Sequence, residues 1–101
     1  MAQCLTLSKA MLQNPIEVKT AGEPLNFIRA RSIAEQHARR ISEAPMLLAW
    51  FNGKTGEFSP RVECCNEEKP AWLIYAESRG GDLVIDINDL EYVFVYHRGE
   101  A

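Results

Sequence analysis

A chain of 101 residues has room for one compact domain and not two, because a domain of this size already buries little more surface than it needs to stay folded. A hydrophobic content of 47% with 25% charged residues excludes disorder as the overall state, and no run reaches the roughly 18–20 apolar residues of a membrane span. The formal charge of −3 is mild but uneven: residues 1–43 hold six Lys/Arg against four acids, and residues 44–101 hold five against ten, which weighs against nucleic acid as a partner.

The first thirteen residues, MAQCLTLSKAMLQ, have no basic head leading into a continuous apolar segment, so a cytoplasmic chain is expected. Their apolar positions, Leu5, Leu7, Met11 and Leu12, fit neither strand nor helix period and predict a flexible or short helical arm over 1–13, with a single domain over 14–98. Asn14-Pro15 punctuates. Ile16, Val18 and Thr20 then alternate with Glu17 and Lys19 as in a half-buried first strand.

Asn26 to Ser42 is the only long run with helical period. Phe27, Ala30, Ala34, Ala38 and Ile41 form one stripe with Ile33 and His37 on its margin, while Arg29, Ser32, Glu35, Gln36, Arg39 and Arg40 face water. Asn26 suits the N-cap, and Pro45 closes the far end. The alanines predict close approach to a sheet.

Met46 to Phe51 is apolar at every position, so both faces of a second strand must be covered. The Asn52-Gly53 turn returns a third strand, Glu57 to Cys64, bent at Pro60. After a charged loop, Ala71 to Ser78 (AWLIYAES) reads as a fourth strand, and Arg79-Gly80-Gly81-Asp82 as a hairpin turn. Leu83, Ile85 and Ile87 alternate with Asp86 and Asn88 in a fifth strand with a polar face near its end. Asn88-Asp89 turns into a sixth, Glu91 to His97.

The expected fold class is therefore α+β: one long helix packed on an antiparallel β-meander, in the order β-α-β-β-β-β-β. By element order this resembles the cystatin-like fold and PepSY-type modules. The stretches MLLAWFNGKTGEFSPRVECC and AWLIYAESRGGDLVIDIND are also similar to those of a small family of hypothetical proteins from anaerobic archaea and bacteria, over Ile16 to Tyr96. That resemblance implies one compact domain with these hairpins and carries no activity, cofactor or functional residue.

Chemistry-bearing residues are sparse. Cys64 and Cys65, beside Glu63, Glu67 and Glu68, are the candidate metal or redox pair, although adjacent cysteines strain a closed tetrahedral site and the odd count of three, with Cys4, suggests reduced thiols. His37 and His97 lack a motif that supplies a nucleophile. Glu77, Asp82, Asp86 and Asp89 could gather a cation but match solvated hairpin ends, and Gly80-Gly81 lacks the following helix of a phosphate loop. Arg29, Arg39 and Arg40, with Lys19 nearby, are candidates for anion binding.

The apolar surplus is more informative, since one helix covers one face of the expected sheet. Trp50, Trp72, Tyr75 and Phe94 are candidate interface residues on the other face, with residues 1–13 folding back as the competing cover. The functional expectation is a small non-catalytic binding or assembly module that forms a homodimer. A metal- or thiol-redox-active protein using Cys64 and Cys65 is the alternative, and a weak nucleic-acid binder through the helix arginines the second alternative. The sequence names no cofactor or small-molecule ligand.

Overall fold

The helical run folds as its period dictates. α1 spans Phe27–Ile41, and Asn26, in extended conformation, accepts at its side-chain oxygen from the Arg29 amide at 2.8 Å, satisfying one of the free first-turn donors. Ala30, Ala34 and Ala38 are fully buried, while Ile41, in the last turn, is 44% exposed. The computed structural model describes residues 7–20, 25–59, 61 and 70–98. Among them, no helix is long and apolar enough to cross a membrane.

The strands are β1 (Ile16–Val18), β2 (Met46–Asn52), β3 (Phe58–Ser59), β4 (Leu83–Ile87) and β5 (Tyr92–His97), in a five-stranded sheet ordered β1-β4-β5-β2-β3. β4–β5, β5–β2 and β2–β3 are antiparallel, but β5 lies beside β2 and the chain crosses from β3 to β4 through a helical segment, so the expected meander order is corrected. β1, however, pairs parallel with β4, placing Ile16 beside Ile85 and Val18 beside Ile87, so the sheet is mixed. A register shift between Leu47 and Ala49 interrupts the β2–β5 ladder. The third strand extends only through Ser59 among the described residues, and Cys64 lies outside them.

The α+β class stands, but Ala71–Ser78 is a second helix, α2, and not a fourth strand. Its eight residues are apolar nearly all round, so neither period shows, and their number suits a strand as well as two helical turns. The chain resolves the ambiguity with Pro70 before the first turn, the helix formers Ala71, Leu73, Ala76 and Glu77 within it, and a glycine after it. The Gly80-Gly81 pair is accordingly a helix stop and not a hairpin. Gly80 takes φ +86°, its amide donates to Glu77 O at 3.2 Å, and the Gly81 amide donates to Ala76 O at 2.9 Å, the two bonds of a Schellman motif.

Pleat alternation divides the core into two layers. Ile85, Ile87, Tyr92, Phe94 and Tyr96 face the α1 alanines, with Phe27 lying against Trp50 and Phe94 at ring separations of 4.5 and 5.6 Å. Ala49, Val84, Val93 and Val95 face the other way, onto Trp72, Leu73 and Ala76 of α2 and onto Leu7 and Leu12. Residues 7–13 thus lie over the sheet face opposite α1, with a 3-10 turn at Lys9–Met11. β4 is buried along its whole length, Asp86 included, so the polar face expected near its end is covered.

Candidate functional site

The densest polar constellation lies at the end of the sheet where β4 turns into β5. Asn88, Asp89 and Leu90 have φ of 55°, 57° and 70°, three successive non-glycine residues in the left-handed region. Each such residue costs on the order of 1–2 kcal/mol, so the turn persists only where its surroundings hold it. Asp86 Oδ1 accepts from the Leu90 amide at 2.7 Å. Asn88 receives the Thr20 amide at Oδ1 and donates from Nδ2 to Thr20 Oγ1, both at 2.8 Å, while its own amide donates to Val18 O at 2.8 Å. Asn88 therefore clasps the end of β1 to the turn.

A second arm of the network reaches the β2–β3 turn. Asn88 Nδ2 donates to Glu91 Oε1 at 3.0 Å, Lys54 Nζ lies 3.1 Å from Glu91 Oε2, and Lys54 also donates to Leu25 O at 3.0 Å, an oxygen shared with the Tyr92 hydroxyl at 3.2 Å. The hydrogen bond from Asn88, reinforced by Lys54, holds the Glu91 carboxyl below its ordinary pKa. The Gly53 amide donates to Glu91 O at 2.7 Å, and a Cβ at Gly53 would lie 2.2 Å from Leu90 O, so only glycine lets the two turns come this close.

On the opposite side of the turn the network meets residues 7–13. Lys9 Nζ sits 2.5 Å from Asp89 Oδ1, 3.1 Å from Glu17 Oε2 and 3.9 Å from Asp86 Oδ2. Hydrogen bonds to Asp89 and then Glu17 raise the Lys9 pKa, and Lys9 in turn lowers that of Asp89. Asp86 goes the other way: burial raises its pKa, against the opposing pull of the Leu90 amide and Lys9. Its Oδ2 is buried with no hydrogen-bond partner among the described residues. Chemically, the corner is an ammonium seat built of three carboxylates, filled by the chain's own lysine.

Asp82, Glu77, Asp86 and Asp89 do not form one cation site. Asp82, at the far end of β4, accepts the Arg98 amide at 3.2 Å and lies 3.8 Å from its Nε, Glu77 is on α2, and Asp86 and Asp89 hold Lys9. Among the described residues no three His, Cys, Asp or Glu side chains are grouped to hold a metal ion. Cys64 and Cys65 lie outside the described residues. His37 is half-buried on the margin of α1, and His97 ends β5 with its ring 2.7 Å from where a Gly80 Cβ would sit. Arg29 and Arg40 are exposed on the outer side of α1, and Arg39 pairs with Glu35 at 3.1 Å.

The aromatic interface residues are divided between the two layers. Trp50 and Phe94 pack toward α1, whereas Trp72, on α2, stacks on Phe51 at 5.6 Å and is 2% exposed; Phe94 is fully buried. Tyr75 is half-buried beneath the Arg79 guanidinium, 5.0 Å from its ring centroid. A continuous outer patch of Trp50, Trp72, Tyr75 and Phe94 is thus corrected, because Trp72 and Tyr75 belong to a helix that itself covers the sheet. Lys9, Glu17, Lys54 and Asn88, which build the corner, carry no local signal beyond the Asn88-Asp89 turn.

Comparison with known proteins places this architecture among relatives without an assigned activity. An uncharacterised protein of Archaeoglobus fulgidus is 41% identical over 64 residues, covering 60% of this chain and 68% of that one. The crystal structure of AF1514 from the same organism, described as a novel protein, superposes with a TM-score of 0.73 at 28% identity, covering 88% of this chain and 98% of that one. The family described as a domain of unknown function, DUF5619, matches residues 13–96, and the chain belongs to it.

Proposed function

We propose that the protein is a small non-catalytic binding or assembly module working as a cytoplasmic homodimer. The observation that carries this reading is the use of polar chemistry at the β4–β5 corner. Asp86 supports the Leu90 amide, Asn88 and Thr20 hold each other, Lys54 bridges Glu91 and Leu25 O, and Lys9 anchors the N-terminal segment. These side chains are aimed at the chain's own backbone and at each other, as in a scaffold. The surface also shows large aliphatic side chains, Ile28 at 80%, Met46 at 60% and Ile41 at 44% exposure, which suits contact with a partner. Self-association would not use a bare sheet, since α2 and residues 7–13 cover the face opposite α1.

Native mass spectrometry of protein purified from its own host tests this reading directly, reporting subunit number, metal and small molecule together. A dimer without stoichiometric metal is expected, and the double variant Cys64→Ser with Cys65→Ser should leave it unchanged. Near-stoichiometric zinc, nickel or iron that disappears in the double variant would replace the assembly reading with a metal or thiol chemistry.

A further inference from the structure

Residues 7–13 are attached to the domain in an unusual way. Leu7 and Leu12 are only 6% and 7% exposed, so the segment is well seated on the sheet. Yet among the described residues its backbone bonds only to itself, the Met11 amide to Ser8 O at 3.0 Å and the Leu12 amide to Lys9 O at 3.1 Å. What joins it to the body is apolar packing and the Lys9 ammonium on Glu17, Asp86 and Asp89. Contacts of this kind can be supplied equally well by the same segment of another copy.

The hinge favours such an exchange. Asn14 has φ +50°, a left-handed conformation at a non-glycine residue, and it directly precedes Pro15, whose ring drives the preceding residue toward extended backbone. Redirecting the segment relaxes Asn14. Pro15 opens onto β1, one of the two edge strands of the sheet. β1 has three residues, so two copies pairing antiparallel along it bring the start of each β1 within about 10 Å of the other copy's Asn88–Leu90 turn, where the lysine seat lies.

We propose that the protein forms an arm-exchanged homodimer, in which residues 7–13 of each copy seat on the other's sheet and each Lys9 docks on the other copy's Glu17, Asp86 and Asp89. This inference rests on the assembly reading and adds to it the surface, the partner and the hinge.

Charge complementation tests it. Lys9→Glu puts the wrong charge on the arm, and Glu17→Lys with Asp89→Lys puts it on the seat, so each variant alone mismatches arm and seat and its dimer should weaken at least about tenfold. Mixed, the two satisfy both arms only by exchange, and a heterodimer at wild-type affinity is the expected result in light scattering and native mass spectrometry. Unpaired variants in the mixture beside a wild-type dimer would overturn exchange and leave the assembly reading intact; a wild-type monomer at high micromolar concentration would overturn both. The hinge provides a second measurement should the charge variants fold poorly. Asn14→Gly, which tolerates the left-handed form, should raise the dimer dissociation constant about tenfold and Asn14→Val should lower it, and no shift in either would also overturn exchange.

Discussion

The Asp86 carboxylate reaches across the β4–β5 turn and accepts the Leu90 amide at 2.7 Å, so one buried side chain holds the last of three left-handed residues. Asp86→Ala leaves that amide without its acceptor and should destabilise the fold by about 1–3 kcal/mol in urea titrations, whereas Asp86→Asn keeps an oxygen there and should cost less.

The same residue gives a pH signature. A carboxyl whose folded pKa is raised contributes stability that is present below its unfolded pKa and lost as pH rises through the folded one, while Asp89 and Glu91, whose values are lowered, contribute stability lost as pH falls through theirs. Asp86→Asn removes the first effect and keeps the second. Its melting temperature relative to wild type should rise as pH increases through the raised Asp86 pKa, and a difference that stays flat or falls across that window would refute the assignment.

Two tyrosines on one strand make a controlled pair. Tyr92 donates its hydroxyl to Leu25 O, but the Tyr96 hydroxyl is buried with no partner among the described residues, and burial, then Glu35, pushes its pKa up to about 12. Tyr92→Phe should cost about 0.5–1.5 kcal/mol, while Tyr96→Phe should be neutral or stabilising. Equal losses in the two variants would show that Tyr96 has found a partner.

Glycine scanning of the β2–β3 turn should rank by contact. Gly53→Ala forces a Cβ to within 2.2 Å of Leu90 O and requires the two turns to part, costing about 1–3 kcal/mol or more by analogy with overpacked cores. Gly56→Ala meets nothing within 4 Å and carries only the left-handed penalty of φ +82°, about 1–2 kcal/mol. Thermal melts giving the reverse order would place the close approach elsewhere.

On α1, Ala34→Asp or Ala38→Asp puts a carboxylate against the sheet at a fully buried position and should abolish folding. Glu35→Ala removes only the exposed pair with Arg39 and should change stability by about 0.5 kcal/mol or less. Circular dichroism melts of the three variants check this ranking.

How far the fold could be read from the chain depended on whether its information was local. α1 was legible because its alanines recur at helical spacing and Asn26 caps it, and β2 because an unbroken apolar run ends in Asn52-Gly53. α2 was not, since a segment buried nearly all round has no periodicity to display. The parallel pairing of β1 with β4 and the corner that joins Lys9, Lys54 and Asp89 depend on contacts between distant segments, and no spacing of residue types encodes them. The leucine content of the N-terminal segment marks it as a cover for the outer sheet face, and Leu7 and Leu12 lie there, while Leu5 falls outside the described residues.

The clasp between Thr20 and Asn88 spans 68 positions of chain, and this separation orders the events of folding. Closing so long a loop carries a large entropy cost before any contact compensates it, whereas β4 and β5 meet across a short turn. The expected order is therefore the β4–β5 hairpin first and β1 late, with the Thr20 clasp completing the turn. Amides bonded between β1 and β4 should accordingly exchange with deuterium before those of β5, which lies between two strands, and substitutions in Ile16–Val18 should speed unfolding more than they slow folding.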